Sequence, residues 1–305
     1  MALDVSTITG YVDENKNELI AATVAGATSA QLLNLQTGYK SSGTINVLDT
    51  DVVLQADSCG RTPSGTTSVT QRILSVGEIK VEEDLCVKVL NKTYLQHAVK
   101  AGSKDDVLPF EADYTSLKAE KIANAMETAI WQGDTGSGTV NLKRFDGFLK
   151  IIDAEGSVVD GNTGALTAIT STNIEAAVDG VYDAIPAELL SKDDTAIFMG
   201  HDTFRLYSRA VRNANYFHIA PEAGITSMNV AGTNVKIYAV EGLNGTSRII
   251  AGRTSGFIVG VDLENEEETF DMWYSMDDKV VKFDAAFKMG VQVAFPSEIV
   301  EFTLA

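Results

Sequence analysis

Gly200-His-Asp-Thr203 is the stretch of this chain where side chains suited to metal chemistry stand closest together. A histidine beside an aspartate can share a divalent ion, but a working centre needs further ligands at matched spacing. His97 and His218 sit in no such motif. A helix start accounts for the group more simply, with Asp202 or Thr203 capping the first turn. Gly133-Asp-Thr-Gly-Ser-Gly138 raises two other chemistries. A phosphate cradle needs glycine amides opening a helix, with Gly-Lys-Ser/Thr behind them. Here the glycines follow a helical pattern, so a hinge is expected. Asp134-Thr-Gly136 also has the form of an aspartic-protease triplet, but that chemistry needs a second carboxylate in a mirrored setting, and no second Asp-Thr/Ser-Gly occurs.

The acidic pairs Asp193-Asp194 and Asp277-Asp278 and the run Glu266–Glu268 could hold a cation, yet on loops such groups read as solvated turns. Cys59 and Cys86 form no CxxC pair and lack zinc spacing, so they read as reduced, structural thiols, with their pairing left open. No Gly-x-Ser-x-Gly elbow, no His-Glu-x-x-His and no Cys/His nucleophile pair appears. No catalytic, cofactor-binding or metal-ligating residue is therefore assigned, and no cofactor is expected. The enzymatic alternative is a divalent-metal-dependent soluble hydrolase built on the acidic loops, whose turnover would be lost on replacing Asp202.

The totals narrow the classes further. The formal net charge of −18 opposes a tight grip on nucleic acid, since neutralising phosphate supplies most of such affinity. The sequence pattern contains no Lys/Arg cluster of that kind. The charge does not oppose surrounding DNA without binding it. No run approaches the ~18 apolar residues of a membrane span. The opening residues, Met1 to Ile20, lack a basic region before an apolar block, so synthesis and folding in a cytoplasm are expected.

The element that must organise these parts is a helix over Asp113–Trp131. Thr115, Ala119, Ile122, Ala123, Met126, Ala129 and Ile130 recur at three- and four-residue steps and share one face. Lys118, Glu120, Lys121, Asn124 and Glu127 fall on or beside the opposite face. Pro109 marks the start and Gly133 the C-cap. About twenty residues at ~1.5 Å each make a rod of roughly 30 Å. Its narrow, alanine-rich stripe requires a close partner along its length.

Residues 1–40 read as an arm, with a short helix over Val12–Ala25 and too little apolar surface for a core. The arm must be disordered or lie on another surface. Residues 43–82 read as a long β-hairpin with its tip near Pro63–Gly65. An isolated hairpin is marginal in water, so it needs a partner in this chain or a neighbour. Asn91–Ala101 reads as a short helix. Residues 153–169 form an exposed loop, and Thr172-Asn-Ile-Glu175 has the form of a capping box. The helix it opens carries Ile174, Ala177, Val178, Val181 and Ile185 inward, and Pro186 disturbs it. Thr195–Met199 is a buried strand leading into a helix with Phe204, Tyr207 and Val211 on one side. Val235–Val240 is another strand. The last sixty residues are strand-rich, with an acidic turn at Glu264–Glu268.

This order of parts resembles the major capsid proteins of tailed bacteriophages, the Hong Kong 97-type fold. The residues that carry the resemblance are the helix end Ile130-Trp-Gln-Gly-Asp-Thr135, then Phe145-Asp-Gly-Phe148, and the strand Phe287-Lys-Met-Gly-Val-Gln-Val-Ala-Phe-Pro296. It implies an α+β fold with an N-arm at 1–40, an extended loop at 41–84 and a peripheral domain at 85–165 with its spine helix at 113–131. An axial domain at 166–245 and return strands at 246–305 complete it. It also implies a structural, non-enzymatic subunit that assembles with itself into hexameric and pentameric capsomers of an icosahedral shell. The shell encloses DNA without sequence-specific binding, in a virion assembled in the host cytoplasm, with portal, separate scaffolding and decoration proteins as partners and no membrane. The close alternative is an encapsulin-like compartment shell subunit. Some relatives weld subunits through a lysine of the extended loop. No lysine occurs between Ser41 and Ile79 here, so no such cross-link is expected at that position.

Overall fold

The computed structural model of the chain describes residues 27–55, 60, 63–86, 110–214, 226–230, 232–262 and 269–305, with only the backbone at 110–113 and 269–270. The expected helices at Val12–Ala25 and Asn91–Ala101, the turn at Glu264–Glu268, and Cys59, His97 and His218 lie outside the described residues.

In chain order, α1 (Thr28–Leu32) and β1 (Asn34–Thr37) precede a hairpin of β2 (Gly43–Thr50) and β3 (Thr67–Leu74), then β4 (Gly77–Cys86). The long helix α2 spans Phe110–Gln132, directly after Pro109. Then follow α3 (Phe148–Ala154), β5 (Val159–Asp160), α4 (Ile174–Ala184), β6 (Thr195–Gly200), α5 (His201–Asn213), β7 (Ser227–Asn229) and β8 (Lys236–Val240). The strands β9 (Ile249–Arg253), β10 (Phe257–Val261), β11 (Thr269–Ser275), β12 (Val280–Val293) and β13 (Val300–Phe302) complete it.

Two sheets share the body. In the first, β12 is the central strand. One edge of it pairs antiparallel with β4 over Val280–Met289. It also pairs antiparallel with β11 along its first half and β10 along its second, and β1 adds to β10 in parallel. Alternation along β12 sends Val281, Phe283, Ala285, Phe287, Met289, Val291 and Val293 inward. They meet Ile122, Met126, Ala129 and Ile130 of α2 in the larger core. The stripe expected on α2, from Thr115 to Ile130, is buried throughout.

The second sheet runs β5-β13-β9-β6-β8-β7. Its central strand β6 is buried at every residue, because both of its faces are covered. Ala196 and Phe198 enter the larger core, while Ile197 and Met199 face a second core beneath α4 and α5. The helices α4 and α5 pack side by side on that outer face.

Four local expectations need correction. The hairpin ends at Leu74, not at residue 82, because β4 leaves it to pair with β12. Residues 27–37 of the expected arm dock on their own body through β1 and α1, instead of being disordered or lying elsewhere. The capping box is not formed: Asn173 holds the N-cap position without a side-chain cap bond, and its Oδ1 accepts from the Thr170 amide at 2.7 Å. At α5 the N-cap is Gly200, and Asn244 Oδ1 accepts the His201 amide from across the sheet at 2.7 Å.

Candidate functional site

Among the described residues the β2–β3 hairpin buries little beyond its base, and that base shows how firmly the hairpin is set. In the β2–β3 hairpin, Gly43 faces Leu74 and Thr50 faces Thr67. Eight residues per arm span about 26 Å. At the base, Leu74 is fully buried and Val47 nearly so, packed with Ile258 and Ala294. Gln292 donates its side-chain amide to the Ile73 carbonyl at 2.7 Å. Arg72 pairs with Glu155 and reaches Gln292 at 3.4 Å. Toward the tip burial fades. Leu48 and Val69 face each other across the strands, each 63% exposed. Ile73 lies on the same face and is 61% exposed. Val52 and Leu54 at the tip are 74% and 93% exposed. A run of large aliphatic side chains held out on a fixed arm has the character of an interaction surface.

The body that carries the arm is tied together at the C-terminal end of α2. Trp131 is fully buried, and its ring lies 5.3 Å from Phe148, 5.5 Å from Phe198 and 6.1 Å from Phe257. One side chain thereby joins α2, α3, β6 and β10. Its indole N–H donates to Ser29 Oγ at 2.6 Å. Ser29 in turn donates its hydroxyl and its amide to the two carboxylate oxygens of Glu127 at 2.6 and 2.8 Å. Glu127, expected beside the polar face of the helix, is 2% exposed. Burial pushes its carboxyl pKa up, against the bonds from Ser29 and Gly242 that favour the charged form, while nearby Glu241 adds to the rise. This latch fixes residues 27–33 to the helix.

The motif Gly133-Asp-Thr135 and Asp146-Gly-Phe148 forms a tight crossing. The Gly147 amide donates to the Gly133 carbonyl at 2.8 Å. A Cβ on Gly147 would lie 2.5 Å from the Gly133 nitrogen and 2.7 Å from the Trp131 oxygen, so only glycine fits. Asp146 Oδ1 accepts the Thr135 amide and hydroxyl, each at 2.8 Å. Lys150 binds Asp134 at 2.6 Å and Asp146 at 2.8 Å. The Lys150 bond and the Gly136 amide hold Asp134 below its usual pKa. Burial works against Asp146, but Lys150 and Thr135 outweigh it and lower it as well. The second carboxylate near Asp134 is thus neutralised by lysine, and both acids stay ionised, unlike a protease pair sharing a proton.

The other sequence candidates resolve in the same way. Asp202 accepts the Thr203 amide at 2.8 Å and the Gly245 amide at 2.9 Å, which ties a turn to α5. Asp194 pairs with Arg253 and Ser255, and Asp278 with Lys282. Cys86 is a free, exposed thiol. Among the described residues no group of three or more His, Cys, Asp or Glu could hold a metal ion, and no helix is long and apolar enough to cross a membrane.

Comparison with solved structures decides the architecture. The satellite phage P4 procapsid, including its size determination (Sid) protein, contains a chain that aligns with a TM-score of 0.62 at 10% identity, over 94% of this chain and 98% of its own. The capsid of the empty GTA particle also gives 0.62, at 18% identity and coverages of 92% and 90%. A virus-like particle from Pyrococcus furiosus gives 0.55, at 11% identity and coverages of 96% and 99%. The chain has the α+β Hong Kong 97-type capsid fold. No family model and no curated protein matches the sequence.

Proposed function

We propose that this chain is the major capsid subunit of a phage head, a structural protein that assembles with itself into an icosahedral shell around packaged DNA. The observation that carries the reading is the β2–β3 hairpin, which presents Leu48, Val52, Leu54, Val69 and Ile73 to solvent from a base fixed on a capsid-fold body. Such a surface fits a neighbouring copy. Weak contacts of this kind, repeated around rings, sum to a stable assembly.

In this reading residues 1–40 are the arm, 41–84 the extended loop, 85–165 and 246–305 the peripheral domain and 166–245 the axial domain. Two of these boundaries are blurred by pairing: β4 belongs to the body sheet, and β9 hydrogen-bonds β6 across the 245/246 boundary. The copies form hexamers and pentamers. Portal, separate scaffolding and decoration proteins are the expected partners, the virion is the destination, and the role is structural and not catalytic. The net charge of −18 suits a wall that surrounds DNA without gripping it.

Expression followed by negative-stain microscopy of the unfractionated lysate tests the reading. Closed particles are expected. A protein that stays monomeric at high concentration contradicts it, and particles filled with a cargo enzyme in place of nucleic acid point to the compartment shell.

A further inference from the structure

The outer helices α4 and α5 carry opposite charges on their free faces. On α5, Arg205, Arg209 and Arg212 are exposed at steps of four and three residues, which places them on one face. On α4, Glu175, Asp179 and Asp183 recur at steps of four, with Asp179 and Asp183 exposed. None of the six has an ion-pair partner among the described residues, although the two helices are neighbours. Glu175 Oε1 is buried without a hydrogen-bond partner among the described residues. Desolvation, and after it the charge of Asp183, push the Asp179 carboxyl pKa up.

Sheet order sets the two helices over different halves of the sheet, side by side. The helix α4 lies over β5, β13 and β9, while α5 lies over β6 and β8. Two such outer faces, acidic along one helix and basic along the other, could pair reciprocally about a two-fold axis, which stops at a dimer, or head to tail, each basic stripe against the next acidic one. The rings of the proposed shell need the head-to-tail arrangement, because heterologous contacts close into rings.

We infer that the arginine stripe of α5 in one copy docks on the acidic stripe of α4 in the next, forming the polar contact that closes each ring of the shell. The inference rests on the proposal that copies assemble, and it names the partner surface. Packaged DNA would also attract three arginines, but it would be repelled by the acidic helix beside them, whereas a second copy uses both stripes.

Three charge-swapped chains test it: Arg205→Glu with Arg209→Glu and Arg212→Glu; Glu175→Lys with Asp179→Lys and Asp183→Lys; and all six together. Sedimentation velocity and microscopy at about 0.1 M salt read the assembled fraction, and circular dichroism checks the fold. Neutral Gln and Asn versions replace any swap that fails to fold. Each triple swap should lower the assembled fraction at least about tenfold through like-charge contact, and the six-fold chain should recover it to within about twofold. Triple swaps that assemble like the natural chain, or that form intact particles with only their DNA content reduced, overturn the contact while leaving the shell standing. A natural chain that forms neither rings nor particles overturns the shell and this contact together.

Discussion

Leu74 lies directly over Gly260: a Cβ on residue 260 would come within 2.6 Å of Leu74 Cδ2. Leu74 is the last residue of the hairpin and has no exposed surface, while Gly260 lies in β10 of the body sheet. The absence of a side chain at 260 lets the root of the arm sink into the body. Gly260→Val should push Leu74 out and destabilise the fold by about 1–3 kcal/mol, the usual range for overpacking. Limited proteolysis should then cut within Gly43–Leu74 faster than in the natural chain. An unchanged melting temperature and digestion pattern would show that the hairpin is not seated there.

Ser29 is the middle of a buried chain from Trp131 to Glu127. Ser29→Ala removes an acceptor from the indole N–H and a donor from the carboxylate, leaving both under-satisfied. A loss of about 1–3 kcal/mol is expected, with a shift in Trp131 fluorescence. Denaturant unfolding followed by fluorescence measures both. A neutral result would mean that residues 27–33 are not latched to α2.

Gly147→Ala places a methyl group against the Gly133 nitrogen and the Trp131 carbonyl. Backbone on both sides leaves no flexible neighbour to yield, so a loss of several kcal/mol or a failure to fold is expected. Thermal unfolding and yield of soluble protein report it, and normal stability would refute the crossing of Gly133 and Gly147.

Glu301 supplies a pH dependence. Its carboxyl, on β13, is pushed up to about 7 by burial, against the pull of Arg248 and with the help of Asp153 and Asp160. The folded chain therefore holds a proton that the unfolded chain releases near the ordinary glutamate value. Stability from this group is present below about pH 4, falls as pH rises toward 7 and is constant above it, with a slope of at most about 1.4 kcal/mol per pH unit for one proton. Glu301→Gln should flatten this part of the profile between pH 5 and 7. Glu127 slopes in the same direction and remains in the variant. The depressed acids Asp134 and Asp146 act oppositely, losing their contribution as pH falls through their lowered values. Chemical denaturation at a series of pH values checks this, and an identical slope in the variant would contradict it.

Periodicity alone was enough to place α2, because its buried stripe from Thr115 to Ile130 repeats at helical steps over about four turns. The odd-numbered spacing of Ile79, Val81 and Leu85 is that of a half-buried strand, as β4 is. It could not say which strand β4 would pair with, since pairing across about 200 residues leaves no local trace; hence the hairpin seemed to run on to residue 82. Glu127 was misplaced for a related reason. A carboxylate between apolar positions looks solvated until a serine 98 residues earlier is folded against it. The capping expectation at Thr172 failed because the helix begins one residue later, after Asn173, and the Thr172 hydroxyl pairs with that of Thr170 at 2.9 Å. The apolar tip residues were visible in the sequence as extended chain, but their exposure depends on no described element of the body lying over them, which only the fold reveals.

The account depends most on the uncovered hairpin. Sedimentation velocity of the natural chain beside a variant with Val52→Asp and Leu54→Asp tests it directly, since both side chains project into solvent and their replacement should leave the fold and melting temperature unchanged. The natural chain should sediment as large particles and the variant as folded monomers or small rings. Equal assembly of the two, or a natural chain that remains monomeric, would contradict it.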